Sequence, residues 1–396
     1  MTPSARLSAA IELLDQILAG EPAERALTRW ARGSRFAGSK DRAAVRDTVY
    51  DCIRQKRSFG HLGGGMTGRA IVIAHQFHAG EPLDQLFTGE GFAPAPITLD
   101  EQRCLDNPID AENAIALDYP DFLDSELRRS LGLDLASIMQ AMQSRAPVDL
   151  RVNTLKTTVA EAQKYLARDL IFTDVVDGVP NALRITQNPR KLNGSLAYRY
   201  GFVELQDVSS QKIARFCGVQ PGMRVLDYCA GGGGKTLALA ALMNGKGDLM
   251  AHDVNPSRMK DLPDRSRRAG ADINIIPPAR LSRVENCNLV LVDAPCSGSG
   301  AWRRNPDSKW RLAQSGLDKL NALQDEILNS AKNFVADNGS LVYATCSLLT
   351  CENDDRTANF LAQNPEWSLE SDLHLSPQTG GDGFYAAILR KNLKAM

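Results

Sequence analysis

Residues 224–236, RVLDYCAGGGGKT, form a short run of β-forming residues, a loop of four glycines and the beginning of a helical stretch. The same alternation continues to the end of the chain, where apolar runs are separated by segments of helical periodicity: DLMAHD, INII, NLVLVD, SLVYAT and FYAAILRK. Strands at this spacing with intervening helices predict a doubly wound, mostly parallel α/β sheet. We expect this sheet to occupy residues 206–396.

The chain before the sheet has two different patterns. In the first sixty positions apolar residues recur at helical spacing, and Ser39 marks the expected start of one helix. Residues 1–140 are therefore predicted to be all-α. Residues 141–205 combine the β-forming runs VDLRVNTL, ALRITQ and GFVELQD with one helical segment near 158–168, which predicts a small α+β module.

Composition excludes several classes of protein. The 396 residues are 43% apolar and 23% charged, without an apolar run long enough to span a membrane. The N-terminal segment lacks the apolar block of a secretory signal, so a cytoplasmic location is expected. The eight cysteines form no CxxC pair and show no disulfide or zinc spacing, which predicts reduced thiols and no bound metal.

The formal net charge of −1 conceals two opposed blocks. Residues 25–57 contain ten Lys and Arg against three Asp and Glu, whereas residues 80–134 contain three against thirteen. We interpret the acidic block as solvated surface. The basic block fits either a surface that follows a phosphate backbone or an ordinary solvated helix face, and composition does not decide between them.

The glycine loop does not match the phosphate-binding motifs that it superficially resembles. Gly234-Lys235-Thr236 could end a P-loop, but that motif needs a glycine at the position of Cys229. No Gly-x-Gly-x-x-Gly register fits the loop either. We interpret the loop as a place where a flat or close-fitting group approaches the backbone beside a helix N-terminus.

An acidic residue follows the next predicted strand. Asp253 lies 22 residues after Gly231, and an acid at about this distance suits hydrogen bonds to the hydroxyl pair of a ribose. The alternative role is a helix N-cap before Pro256, and the two roles are compatible. A nucleoside cofactor without a phosphate cradle is indicated, and S-adenosylmethionine is the natural candidate.

Thiols follow two other predicted strands. Cys296 lies in DAPCSGSG and Cys346 in Thr345-Cys346-Ser347. Ligands of an open α/β sheet bind beyond the carboxyl ends of its strands, so the two thiols are expected to meet in one cleft. A lone cysteine is more often a small buried apolar residue. That interpretation is kept for Cys52, Cys104, Cys217 and Cys287.

Basic and aromatic residues are interleaved directly after the Pro-Cys motif. They are Arg303, Arg304, Lys309 and Arg311, with Trp302 and Trp310. Such a pattern beside a catalytic cleft suits phosphate contacts and base stacking, which would make the four basic residues an RNA-binding cluster. The alternative is a basic loop whose tryptophans pack inward.

Taken together, these motifs resemble the RsmB/Sun (NSUN-type) family of RNA 5-methylcytosine methyltransferases. DYCAGGGGKT resembles its cofactor motif, DAPCSGSGAWRRNPDSKWR its fourth motif and YATCSLLTCEND its sixth. The resemblance implies that residues 206–396 form a Rossmann-like class I methyltransferase domain. Residues 141–205 look like the small, RRM-like module that precedes it, and residues 1–140 are similar to a NusB-like RNA-binding domain.

The resemblance also implies roles for four side chains. The thiolate of Cys346 would add to carbon 6 of cytosine, which activates carbon 5 for methylation. The thiol of Cys296 would assist release of the product. Asp293 would hydrogen-bond the ring at N3, and Lys235 would face the active site.

S-adenosylmethionine binding is implied for the glycine loop and two aspartates. These residues are Cys229, Ala230, Gly231, Gly232, Gly233, Gly234, Lys235, Asp253 and Asp293. The chain departs from the family pattern at two points. The family loop usually has Ala-Pro at Gly231-Gly232, and an acid that contacts the adenine amine is commonly found where this chain has Pro277-Pro278.

The leading hypothesis is an S-adenosylmethionine-dependent RNA cytosine-C5 methyltransferase that acts on ribosomal RNA or a ribosomal particle. Its target would be a flipped or single-stranded cytidine. The alternative is a catalytically silent RNA-binding ribosome assembly factor. Such a protein needs neither Cys296 nor Cys346, so the presence of both argues against this alternative. A third hypothesis, a DNA methyltransferase, predicts that Cys296 is the nucleophile.

Overall fold

The structure is a computed structural model and describes residues 1–106 and 114–392. The chain divides into two compact units. A helical unit holds Met1–Arg145 and Trp302–Leu312, and a catalytic unit holds Ala146–Ala301 and the chain from Ala313 onwards. None of the helices in the described ranges is both long and apolar enough to cross a membrane.

Helices dominate the first third of the chain and alternate with strands thereafter. The helices are α1 Pro3–Leu18, α2 Ala23–Gly33, α3 Ser39–Arg54, α4 Lys56–Leu62, α5 Gly68–His78, α6 Leu83–Leu86, α7 Leu99–Leu105, α8 Asp124–Leu131, α9 Leu135–Gln143, α10 Val159–Arg168, α11 Leu196–Arg199, α12 Val208–Phe216, α13 Gly234–Leu242, α14 Leu262–Ala269, α15 Pro306–Arg311, α16 Gln314–Ala331 and α17 Asp354–Gln363. The strands are β1 Asp149–Val152, β2 Phe172–Val175, β3 Ala182–Gln187, β4 Val203–Leu205, β5 Arg224–Asp227, β6 Asp248–His252, β7 Asn274–Ile276, β8 Cys287–Asp293, β9 Val335–Thr345, β10 Trp367–Leu375 and β11 Phe384–Lys391.

The helical unit is organised around α1, α3 and α5, which contribute many of its buried residues. Helix α3 begins at Ser39, as the sequence predicts, because the side chain of Asp41 accepts a hydrogen bond from the backbone nitrogen of Gly38. Helix α1 is capped by Thr2, whose hydroxyl accepts from the Ala5 nitrogen. Part of the acidic block, residues 107–113, lies outside the described residues.

The catalytic unit contains two sheets. The smaller sheet is antiparallel, with strand order β2-β3-β1-β4. The larger sheet has the order β10-β11-β9-β8-β5-β6-β7, in which β7, β6, β5, β8 and β9 are parallel to one another. Strand β11 pairs antiparallel with both of its neighbours, β9 and β10. The predicted α/β class, with a Rossmann-like, mostly parallel sheet after a helical region and a small α+β module, is confirmed.

Two details differ from the sequence analysis. Strand β10 was not predicted, because it lies at the edge of the sheet and most of its side chains are solvent-accessible. Trp302–Leu312 was assigned to the domain 206–396 but packs in the helical unit. The division at residues 140 and 205 into three domains stays a prediction.

The strands of the larger sheet are buried on both faces. In β8 the run Leu289–Val292 is almost completely inaccessible to solvent, as are Val225 and Leu226 in β5. Helices on both faces remove the apolar side chains from water, which is why these strands are continuous apolar runs instead of alternating ones. Ligands of such a sheet bind beyond the carboxyl ends of its strands, so the residues that follow the strands are the candidate site.

Candidate active site

The two thiols singled out from the sequence lie in contact. Cys296 follows β8 and Cys346 follows β9, and these neighbouring strands are parallel, so their carboxyl ends lie side by side. The two Sγ atoms are 3.4 Å apart, and both side chains are partly exposed. The expected meeting of the thiols in one place is therefore found. Their chemical roles stay predictions.

The environment of Cys296 favours its protonated form. Its hydrogen bond with Cys346, burial and the neighbouring charges of Cys346 and Glu352 raise the pKa of the Cys296 thiol well above its ordinary value. A raised pKa keeps a thiol protonated at neutral pH, so this environment does not by itself activate Cys296.

A charged pair lies at the end of the same strands. Lys235, in the first turn of α13, places its Nζ atom 2.8 Å from Oδ2 of Asp293, the last residue of β8. The Lys235 side chain is 9% exposed and the Asp293 side chain 33% exposed, so the carboxyl group is the more accessible member of the pair. Burial lowers the pKa of Lys235, but the charge and hydrogen bond of Asp293 outweigh burial and raise it above the ordinary value.

The glycine loop turns sharply between β5 and α13. Gly233 is the N-cap of α13 at φ +79°, and a Cβ atom there would lie 2.2 Å from Cδ1 of Leu262. Gly231 also has a positive φ of +52°. Both positions use the left-handed region that glycine enters without steric cost, so the loop follows a backbone path that other residues would strain.

Asp253 fastens this loop from the neighbouring strand. One carboxylate oxygen accepts from the Gly231 nitrogen at 3.0 Å, and the other accepts from the Asn255 nitrogen at 2.9 Å. Arg258 also lies 3.4 Å from the first oxygen. Asp253 is almost completely buried in this arrangement. A ribose contact would replace Arg258 at this carboxylate, and that contact stays a prediction.

The remaining predicted loop residues are held through hydrogen bonds to their own backbone atoms. The Ala230 nitrogen donates to the His252 carbonyl at 2.8 Å, and the Gly234 carbonyl accepts from Gln206 at 3.1 Å. Arg265 donates to the carbonyl of Gly232, which is exposed. Burial raises the pKa of the partly exposed Cys229 thiol, so this cysteine is not an activated nucleophile.

Asp227, at the end of β5, was not singled out as a site residue. Its Oδ2 atom accepts from the Thr236 hydroxyl at 2.6 Å, while its buried Oδ1 atom has no hydrogen-bond partner among the described residues. Burial raises the pKa of Asp227 to about 7. The free Oδ1 atom of Asp227 lies next to the glycine loop and can accept a hydrogen bond. It therefore fits a ligand that carries hydroxyl or ammonium donors, as S-adenosylmethionine does.

Glu352 is a second residue that the sequence analysis missed. It is completely buried, and its carboxylate accepts hydrogen bonds from residues next to both thiols. It lies in the quoted motif YATCSLLTCEND, but an isolated acid after a strand is usually solvated, so the sequence carried no signal of its burial.

The four predicted RNA-binding residues do not share one surface. Arg303 and Lys309 are buried, whereas Arg304 and Arg311 are exposed. Lys309 is 1% exposed and its Nζ donates to the carbonyl of Arg54 at 3.1 Å. Burial in the helical unit lowers its pKa to about 8.

The expectation of a four-residue phosphate-binding cluster is therefore corrected. Trp302 is buried and Trp310 donates from its indole nitrogen to the Ile53 carbonyl at 2.7 Å, so both tryptophans pack inward. The carbonyl of Arg303 accepts from Arg54 at 2.8 Å. Local sequence could not separate the buried cations from the exposed ones, because burial here depends on packing against helices about 250 residues earlier.

The absence of a metal stays a prediction. Among the described residues, Asp354, Asp372 and His374 place potential ligand atoms within 4.8 Å of one another, on side chains that are largely exposed. Such groups are common on protein surfaces, and nothing else about this one indicates a bound ion.

Two family models match the chain. A model described as 16S rRNA methyltransferase RsmB/F matches residues 216–390, and one described as the ferredoxin-like domain of RsmF/B-like methyltransferases matches residues 119–190. The first covers the larger sheet with the glycine loop and both thiols. The second includes strands β1–β3 of the smaller sheet.

Related proteins agree with the family models. The chain is 30% identical to a probable ribosomal RNA small subunit methyltransferase B from Synechocystis sp. over 69% of its own length and 67% of the relative. It is 31% identical to the ribosomal RNA small subunit methyltransferase B of Enterobacter sp., over 69% of its length and 66% of the relative. The aligned region thus spans about two thirds of these relatives.

A solved structure has the same fold over much of the chain. It is a methyltransferase homolog protein from Pyrococcus horikoshii, 25% identical, which superposes with a TM-score of 0.61 over 70% of this chain and 97% of that one. The predicted methyltransferase activity and the predicted methyl donor, S-adenosylmethionine, are confirmed at the level of the family. The chain belongs to the RsmB/F family of 16S rRNA methyltransferases, as its motifs predicted.

Proposed function

We propose that this protein methylates carbon 5 of a cytidine in small-subunit ribosomal RNA. The observation that carries the proposal is the 3.4 Å contact between the thiols of Cys296 and Cys346, beside the charged pair of Lys235 and Asp293. Carbon 5 of cytosine is a poor nucleophile, so a group that first adds to carbon 6 is needed. Two adjacent thiols supply one group for addition and another for release.

In the proposed reaction the Cys346 thiolate forms a bond to carbon 6, and the electrons of the C5–C6 double bond move to carbon 5. S-adenosylmethionine, when bound, supplies the methyl group that carbon 5 accepts. The deprotonated sulfur of Cys296 then takes the proton from carbon 5, the C5–C6 double bond re-forms, and the sulfur of Cys346 leaves carbon 6 as a thiolate. The bond between the Cys346 sulfur and carbon 6 is thus formed in the first step and broken in the last, and Cys346 ends as the thiolate it was at the start.

The surrounding residues suit these steps. The 3.4 Å contact between the two sulfur atoms supports the assignment of Cys296 to the release step, because it places a second thiol beside the one that forms the bond to carbon 6. Asp293 lies at the end of β8 with a partly exposed carboxyl group, where it can hydrogen-bond a pyrimidine ring. Lys235 holds that carboxyl group in position through the 2.8 Å contact.

The methyl donor would be held by the glycine loop and the carboxylates around it. The curve of backbone from Cys229 to Lys235, the unmatched oxygen of Asp227 and the buried carboxylate of Asp253 support this assignment. The proposal places the enzyme where ribosomal RNA is found, in the cytoplasm, with either naked RNA or a ribosomal particle as substrate.

The test is methyl transfer to ribosomal RNA followed by site mapping. The protein would be incubated with radiolabelled S-adenosylmethionine and either deproteinised small-subunit RNA or unmethylated small subunits. We expect label in 5-methylcytidine, at one position that bisulfite sequencing identifies. A parallel incubation contains DNA instead of RNA. Absence of label from all three substrates would favour the silent assembly factor, and label in DNA alone would overturn the choice of RNA.

A further inference from the structure

A buried carboxylate joins the two loops that carry the thiols. Glu352 is 0% exposed and lies at the end of a 3-10 helix, Thr350–Glu352, that follows the Cys346 loop. Its Oε1 atom accepts from the backbone nitrogen of Ser297 at 2.8 Å, and its Oε2 atom accepts from the hydroxyls of Ser297 and Ser347, each at 2.5 Å. These serines directly follow Cys296 and Cys346.

A fourth donor completes the set. Nε2 of Gln324, in α16, lies 3.1 Å from Oε1 of Glu352 and 2.9 Å from the carbonyl of Pro295. A carboxylate offers about four acceptor positions and no donor, so the four contacts match what its two oxygens can accept. A glutamine of the same shape would present only one such oxygen and an amide that donates.

Removing the carboxylate of Glu352 from water raises the free energy of the folded state, so packing alone does not explain its burial. All four hydrogen-bond donors to the carboxylate are neutral groups. Burial of a carboxylate among neutral donors carries a desolvation penalty, which the four hydrogen bonds have to offset. The carboxylate is therefore better explained by what it holds in place.

The next residue fixes the Cys346 side of the same turn. Asn353 accepts from the Thr345 hydroxyl at 2.6 Å and donates to the Ser347 carbonyl at 3.1 Å. Asn353 is thus hydrogen-bonded to the residue on each side of Cys346, through the side chain of Thr345 and the backbone of Ser347. Glu352 differs from Asn353 because its contacts reach the Cys296 loop as well.

We propose that Glu352 is a positioning residue, which sets the distance between the thiols of Cys296 and Cys346 by binding Ser297 and Ser347 at once. This inference rests on the proposed function only for its consequence in catalysis. The geometric part concerns the two sulfur atoms and holds whatever substrate they act on. A displacement of about 1 Å in a reacting group costs about 10²-fold in rate, so a relaxed thiol pair would be a poor catalyst.

The test compares Glu352→Gln with Tyr343→Phe in the full-length protein. The Tyr343 hydroxyl donates to the backbone carbonyl of Glu352 at 2.6 Å, so its loss weakens the same turn without changing a contact of the carboxylate. The readout is disulfide formation between Cys296 and Cys346 with diamide, which takes up two electrons and two protons from the two thiols. Mass spectrometry of unreduced peptides identifies this disulfide.

Wild type and Tyr343→Phe are expected to form the disulfide at similar rates, and Glu352→Gln at least about tenfold more slowly. Methyl transfer by Glu352→Gln should lose about 10²-fold in kcat with little change in KM for S-adenosylmethionine. A Ser297→Ala, Ser347→Ala double variant retains the carboxylate and provides a second test if Glu352→Gln does not fold. It should also form the disulfide more slowly and transfer methyl groups with a lower kcat.

Unchanged crosslinking in folded Glu352→Gln, or no disulfide between these two cysteines in the wild type, would overturn the inference. Normal crosslinking by a wild type that transfers no methyl group would instead refute the proposed function and leave the positioning role intact. The two failures are therefore distinguishable.

Discussion

The Sγ atoms of Cys296 and Cys346 lie 3.4 Å apart, although 50 residues separate the two cysteines in the chain. Strands β8 and β9 are parallel neighbours, so the segments that follow them emerge at the same edge of the sheet. The contact makes the two thiols parts of one chemical unit, and substitutions of either one should have different consequences.

The first prediction concerns this pair. Cys346→Ala should lower methyl transfer by at least about 10³-fold and form no covalent complex with RNA, because no sulfur adds to carbon 6. Cys296→Ala should also be inactive but should accumulate a complex that resists denaturation, because release is blocked. Denaturing gels with labelled RNA measure both. Cys104→Ala, in the helical unit, serves as the control, and the reversed pattern would indicate that Cys296 is the nucleophile.

The second prediction concerns the charged pair. Lys235→Met should lower kcat by about 10²-fold, because the Asp293 carboxyl group loses the partner that orients it. Since the folded pKa of Lys235 is above 10.5, the pair's contribution to stability is present below that value and is lost as the pH rises past it. Exposed Lys246→Met is the matched control, and equal rates for both variants would contradict the assignment.

The third prediction is a dependence of stability on pH. Burial raises the pKa of Asp227 from 3.8 to about 7, so the native state binds this proton more tightly than the unfolded state does. Stability therefore falls as the pH rises between these values and is constant above 7. Asp227→Asn lacks this loss, and its stability relative to wild type should rise by about 2 kcal/mol between about pH 5.5 and 8.

Urea unfolding at the two pH values measures this difference. Asp174→Asn, which removes an exposed carboxyl group, should show no comparable change with pH. A parallel pH dependence in wild type and Asp227→Asn would show that the proton is not held in the native state.

The fourth prediction separates exposed from buried cations. Arg304→Ala and Arg311→Ala should each weaken RNA binding and reduce the slope of log affinity against log salt by about 0.7, the value for one phosphate contact on a single strand. Lys309→Met should leave the slope unchanged, since its ammonium group is bound to the Arg54 carbonyl. Filter binding over a range of salt concentrations decides this. A reduced slope for correctly folded Lys309→Met would mean that this side chain reaches RNA.

Much of the fold followed from local patterns. Apolar runs such as NLVLVD are long enough to specify a buried strand, and their alternation with helical segments specifies a parallel sheet. The positions of Asp293, Cys296 and Cys346 after such runs predicted their convergence, because strand ends in a parallel sheet lie at one edge. Strand β10 escaped prediction because an edge strand exposes much of its surface and has a weaker apolar pattern.

The order of residues along the chain is enough to tell which residues follow which strands, and hence which reactive groups lie at the same edge of the sheet. Which polar groups are buried depends on how distant segments pack. Lys309 and Glu352 resemble surface residues in the sequence, yet both are almost completely inaccessible. The physical reason is range: strand and helix periodicity depends on neighbours within a few residues, whereas the burial of a charge depends on partners that the chain supplies 28, 55 or 255 residues away.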